Sequence, residues 1–137
     1  MIVYVDTSAA LKLLVQEAES ESVGSYLEEV RDSGGRLVSS LLMYTELHCA
    51  ARRRPEQIDP VAVTDVLSAF DLVHLDAGDL TTAAALAGGL RTLDALHLAS
   101  ASRIGPDAML VYDRELAAVA KAAGVRVVRP SDGDAPV

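Results

Sequence analysis

A chain of 137 residues, half of them hydrophobic, suffices for one compact domain with a sizeable core. Twelve Lys+Arg against 20 Asp+Glu leave a net charge of −8, which argues against broad, nonspecific attraction to polyphosphates, and four tyrosines with one phenylalanine supply little for a nucleic-acid stacking platform. Cys49, the single cysteine, excludes an intrachain disulfide and a thiolate zinc cluster. A reducing compartment fits, and with no basic leader and no apolar run of membrane-spanning length, the expectation is a soluble, cytoplasmic protein without membrane contact.

Short apolar runs alternate with helical patterns along the chain. Ile2 to Val5 is β-branched and aromatic, the composition of a strand covered on both faces, and Asp6 ends it. Helical spacing follows over 7–14, for which Asp6 can be the N-cap, its carboxylate accepting a backbone N–H. A second helical pattern covers about 18–31, and Gly34-Gly35 breaks it before a strand-like 37–39. Helical patterns then span 41–53, with Ser40 as N-cap and Pro55 as stop, and about 60–70. Residues 72–75 are strand-like, and 79–87 and 93–103 helical, with Gly88-Gly89 between them and Thr92 able to cap the second. Gly105-Pro106 precedes a strand-like 109–112, and Asp113 repeats the Asp6 pattern ahead of a helix over 114–123. Gly124, in the position of a C′ glycine, leads into strand-like 125–128. Strands separated by helices imply parallel pairing and an α/β fold with helices on both faces of the sheet. The stretch 130–137 reads as a flexible tail.

Four acids carry the functional reading. Glu46 has Leu42, Met43, Cys49 and Ala50 three and four residues away, all apolar, so it either faces the core, where a charge needs compensation, or snorkels out from the edge of the stripe. Asp94 falls in the first turn of its helix, where the macrodipole contributes roughly 0.3–1 kcal/mol, yet it shares a face with Leu98 and Ala101 and so also looks inward. Asp6 and Asp113 each have an N-cap role available. Their topological positions nevertheless coincide: in a doubly wound parallel sheet, sites form outside the carboxyl ends of the strands. If the first and fourth strands are neighbours, all four carboxylates converge there. Several carboxylates in one cleft repel, so some are protonated or a cation holds them. Oxygen ligands without thiolates or paired histidines favour Mg²⁺ or Mn²⁺ over Zn²⁺. A bound cation would also let a protein of negative net charge act on RNA.

"VDTSA" at 5–9, "YTEL" at 44–47, "LRTLDALHLASA" at 90–101 and "VYDREL" at 111–116 together resemble the PIN-domain family, and within it the VapC-type toxins of bacterial toxin–antitoxin pairs. The resemblance runs from the first strand to the last. It implies a PIN domain over 1–129, a three-layer α/β/α sandwich whose parallel sheet of about five strands has the order 3-2-1-4-5. It implies an endoribonuclease dependent on Mg²⁺ or Mn²⁺ that leaves a 5′-phosphate and a 3′-hydroxyl. The family's acidic quartet matches Asp6, Glu46, Asp94 and Asp113, with Asp6 and Asp94 first as metal ligands, and Asp113 and Glu46 completing the shell or holding metal-bound waters. It further implies an RNA substrate, a cognate VapB-type antitoxin and a homodimer within a larger complex. One departure is Val111, at a position where the family often carries a hydroxyl residue; Ser8 could supply a hydroxyl beside Asp6 instead.

Other residues bear on the same site. Arg91 and Arg114 lie next to proposed acids, placed for substrate phosphates or for pairing with a carboxylate, while Arg52, Arg53 and Arg54 read first as cations complementing a helix C-terminus and second as a phosphate-binding rim. His97 reads as a helix-face histidine, since His48 and His74 offer no spacing that would complete a zinc site, and Cys49 reads as a small buried hydrophobe. A receiver-type signalling domain would want an acidic pair after the first strand and a lysine after the last, where Asp6 stands alone and Arg126 and Arg129 are arginines. A haloacid-dehalogenase-type phosphatase needs a second aspartate where Ser8 stands. A PIN-fold protein that only binds a partner is the remaining alternative, kept open by Val111.

Overall fold

The structure, a computed structural model, describes residues 1–86 and 88–131. In chain order the elements are β1 (Ile2–Val5), α1 (Thr7–Leu11), α2 (Ser20–Asp32), β2 (Arg36–Ser40), α3 (Leu42–Arg53), α4 (Pro60–Leu67), β3 (Asp71–Val73), α5 (Ala77–Ala85), α6 (Thr92–Ile104), β4 (Ala108–Leu110), α7 (Arg114–Ala122) and β5 (Val127–Val128). The five strands form one parallel sheet in the order β3-β2-β1-β4-β5, the order the resemblance implies. The expected tail lies, beyond Ser131, outside the described residues.

β1 is the middle strand, and its side chains alternate between two cores. Tyr4 stands in register with Val38 and Met109, and all three belong to a cluster packed under α6 and α7 through Leu98, Ala101, Leu116 and Ala120. Val3 and Val5 point the other way, into a cluster with Val23, Leu27, Met43, Leu47 and Val63 from α2, α3 and α4. Period-2 alternation on a central strand thus builds both layers at once. Val3, Tyr4 and Val5 have no exposed surface.

Several boundaries differ from the sequence reading, for local reasons. The helix expected over 7–14 ends at Leu11, and the chain continues to Leu14 in tight turns where each N–H donates to the carbonyl three residues back. Thr92 is the first helical residue rather than the cap; Arg91, with extended backbone, holds the cap position. Ser40 likewise precedes the cap residue Leu41, although its hydroxyl still accepts from the Leu42 N–H at 3.1 Å. Cys49 is exposed, not buried, because the buried stripe of α3 runs through Met43, Leu47, Ala50 and Ala51 and leaves residue 49 on the far side. Gly124, at φ +86°, does follow α7 as a left-handed terminator, with the Val125 N–H reaching back to the Ala120 carbonyl.

An ion pair between a buried carboxylate and a partly exposed arginine fixes the helix that carries Asp94. Asp79, 2% exposed, closes a capping box by accepting the Asp76 N–H at 3.0 Å, and it takes both arms of Arg103 at 2.8 and 2.9 Å. The fork ties α5 to α6. The Arg103 guanidinium holds the Asp79 carboxyl below its usual range, against the opposing effect of burial. A depressed carboxylate pKa contributes stability that is present above the unfolded-state value near about 4 and lost as pH falls through the folded one. Asp79→Asn should therefore cost about 2–3 kcal/mol in denaturant titrations at pH 7. The difference from the parent protein should shrink as the same titrations are carried below about pH 4.

Candidate active site

The carboxyl edge of the sheet collects the four acids. Asp6 directly continues β1; its backbone N–H donates to the Leu110 carbonyl of β4 at 3.1 Å, which places the residue at the junction of the two strands. It is the N-cap of α1, accepting the Ser8 N–H at 3.3 Å, and the Ser8 hydroxyl donates to the same oxygen at 2.5 Å. Of the two readings open for Ser8, a first-turn residue or a hydroxyl beside Asp6, the structure shows both geometries at once. Asp113 follows the end of β4 and caps α7 through the Leu116 N–H at 2.8 Å. The cap roles read from the sequence are real and do not compete with a site: each cap uses the same strand end that aims the carboxylate over the sheet.

Glu46 settles between its two readings. It flanks the buried stripe of α3, one-quarter exposed, and its Oε1 accepts from the Thr7 hydroxyl at 2.9 Å and lies 2.6 Å from His97 Nε2. His97 lies on α6 and is 1% exposed, because that helix is buried on nearly every side from Ala95 to Ala101. Its Nδ1 meets the hydroxyl of fully buried Tyr4 at 2.7 Å, and Thr7 Oγ1 lies 3.1 Å from Nε2. A carboxylate only accepts, so Nε2 carries the proton and donates to Glu46. Tyr4, Thr7 and His97 were not singled out as site residues by sequence. Weak signals exist for two of them, neither of which names a partner: a tyrosine in a strand covered on both faces needs a hydroxyl partner, and a histidine three residues after Asp94 shares its helical face.

The electrostatics are those of an acidic cluster that His97 offsets in part. Burial raises the Asp6 pKa and the Glu46 charge adds to this, against the lowering influence of His97 and Ser8. The Asp94 pKa is raised by burial first, then by the charges of Asp6 and Asp113, with Glu46 adding and His97 opposing. Burial opposes charge on His97, but its bond to Glu46 and the charges of Asp6, Glu46 and Asp94 prevail and raise its pKa. Among the described residues no lysine or arginine forms an ion pair with Asp6, Asp94 or Asp113. Arg91 and Arg114 are both exposed beside the acids, without an ion pair among the described residues.

The donor set is all hard oxygen, which fits Mg²⁺ or Mn²⁺. Among the described residues no three His, Cys, Asp or Glu side chains form a ready-made coordination set. Val111 is buried and offers no hydroxyl, whereas Ser8 and Thr7, just after β1, donate hydroxyls to Asp6 and Glu46.

An α/β sandwich with mutually repelling acids over the carboxyl ends of β1 and β4 defines a hydrolase-type acidic site. A PIN domain family model matches residues 3–134. Ribonuclease VapC35 of Mycobacterium tuberculosis is 36% identical over 135 residues, covering 94% of this chain and 97% of the relative. Ribonuclease VapC46 of the same organism is 37% identical over 136 residues, with 94% and 98% covered. The chain belongs to the PIN-domain family, among the VapC ribonucleases. The solved structure of VapBC2 from Rickettsia felis bound to a promoter DNA fragment shares the fold with a TM-score of 0.75 at 11% identity, over 96% of this chain and 100% of that one. The Mycobacterium tuberculosis toxin VapC20, described as cleaving the sarcin-ricin loop, matches with a TM-score of 0.67 at 18% identity, over 93% and 99%.

Because the Asp6 and Asp94 pKa values are raised, their ionised forms oppose folding at neutral pH, and stability falls as pH rises through the raised values. Asp94→Asn should therefore raise the melting temperature of metal-free protein at pH 7 by about 2–5 °C, the shift that roughly 1 kcal/mol produces in a chain of this size. Scanning calorimetry of both proteins in EDTA, at pH 7 and pH 5, checks this; the gain should be smaller at the lower pH.

Proposed function

We propose that this protein is the toxin of a type II toxin–antitoxin pair, an endoribonuclease dependent on Mg²⁺ or Mn²⁺ and neutralised by a cognate VapB-type antitoxin. The observation that carries the metal dependence is the acidic cluster: Asp94 feels the charges of Asp6 and Asp113 with no basic ion-pair partner among the described residues. Asp6 and Asp94 are the residues proposed to hold the ion. Asp113 and Glu46 complete its shell or accept hydrogen bonds from its waters. When bound, the ion supplies a nucleophilic water at neutral pH and offsets charge on the phosphoryl oxygens. The chain's own groups do the rest. Ser8 orients Asp6, the Thr7 and His97 donors orient Glu46, and exposed Arg91 and Arg114 offer guanidinium groups to substrate phosphates.

In-line hydrolysis would leave a 5′-phosphate and a 3′-hydroxyl. The partners follow the VapBC and FitAB neighbours, and a homodimer inside a larger complex is proposed with them. No helix among the described residues is long and apolar enough to cross a membrane. A cytoplasmic location and a single PIN domain over 1–129 complete the proposal.

The test is cleavage of a total-RNA pool by purified, antitoxin-free protein in Mg²⁺ or Mn²⁺ against EDTA, with Asp94→Asn alongside. Cleavage that needs the ion and falls in the variant by more than the about 10–100-fold typical of outer-shell partners supports the reading. Full cleavage in EDTA, or by folded Asp94→Asn, would sink the metal-site assignment. No cleavage by folded parent protein would favour a PIN-fold protein that only binds.

A further inference from the structure

Glu46 reaches the site from α3, on one side of the sheet, while His97 comes from α6 on the other, so their hydrogen bond closes over the sheet's carboxyl edge. Only Oε1 of Glu46 is engaged by the described residues, by Thr7 and His97 together; Oε2 accepts nothing from them. A carboxylate gripped at one oxygen by two donors is confined to one rotamer, with its second oxygen presented outward.

The grip has its own support. His97 cannot turn without losing Tyr4, whose hydroxyl holds Nδ1 at 2.7 Å and whose ring meets the imidazole edge-on, with centroids 5.9 Å apart and planes at 76°. Tyr4 is fully buried and lies on the central strand in register with Val38 and Met109, the most constrained place in the sheet. Two buried polar side chains thus end on a carboxylate that is one-quarter exposed. Apolar residues of the same volume would fill that space without the desolvation cost, so packing alone does not account for the pair.

We propose that Tyr4 and His97 are positioning residues, a rigid relay from the central strand that sets the Glu46 carboxylate in one orientation for the metal-dependent reaction. The relay rests on the metal-nuclease reading above. Neither residue touches the substrate or the ion; each acts through Glu46.

Tyr4→Phe removes one oxygen atom and leaves the ring, so it tests the relay with little change in packing. Tyr4→Phe, His97→Gln and the double variant are to be compared with the parent protein for kcat and KM on RNA that the parent cleaves. Mn²⁺ affinity by titration calorimetry and melting temperature are measured on the same samples. Each single variant should lower kcat by about 10–100-fold with KM little changed, and should weaken Mn²⁺ binding. The double variant should be no worse than His97→Gln alone, since the two residues act in series. A folded Tyr4→Phe with parental kcat and Mn²⁺ affinity, whatever its melting temperature, would overturn the relay. Parent protein that binds no Mn²⁺ and cleaves without it would overturn the metal reading and the relay with it. A parental Tyr4→Phe beside an inactive Asp94→Asn would overturn the relay alone.

Discussion

The structure turns on a carboxylate at the end of a strand that has no exposed side. β1 is central in the sheet and buried on both faces, and Asp6 follows it while only 3% exposed. A charged group in that place needs donors or a counter-charge. The donors are local: the Ser8 N–H and hydroxyl, at the start of a helix that begins where the strand stops. No basic ion-pair partner is supplied by the described residues, and the neighbours that the parallel topology brings, Asp94 and Glu46, are acids too. The fold therefore gathers, where the strands end, carboxylates whose charge burial and their acidic neighbours oppose.

Two polar links crossing between elements hold that strained edge in shape. The Arg103 fork on Asp79 binds α6 to α5 near one end of the helix, and the Tyr4–His97–Glu46 chain binds it to the central strand and to α3 near the other. Both sit where hydrophobic packing cannot fix orientation, because an apolar contact is non-directional and a hydrogen bond is not. The apolar clusters decide which layers meet. The polar links decide where the carboxylates point.

Much of this was legible in the residues. The alternation of short apolar runs with helical patterns leads directly to a parallel α/β sheet, and the acids at the ends of two such runs lead to its carboxyl edge. The ambiguity over Glu46 had a physical source: helical periodicity places it beside apolar neighbours, but whether a flank faces protein or water depends on what packs there, here α1 and α6, far away in sequence. Cys49 was misplaced for the same reason, since an apolar residue off the buried stripe looks like core when the stripe's angle is unknown. The role of His97 was hidden because its partners lie 93 and 51 residues away, and no local pattern encodes so distant a contact.

The strand order has a consequence for the timing of synthesis. β1 is made first, but one of its two neighbours, β4, begins at residue 108, and Asp113 lies beyond it. A chain growing on the ribosome can pair β1 with β2 early, yet it cannot bring Asp6 against the end of β4 until roughly a hundred further residues have been made. The pairing of β1 with β4 therefore leaves Asp6 and Asp113 apart in the nascent polypeptide until the later half of the sheet has been made.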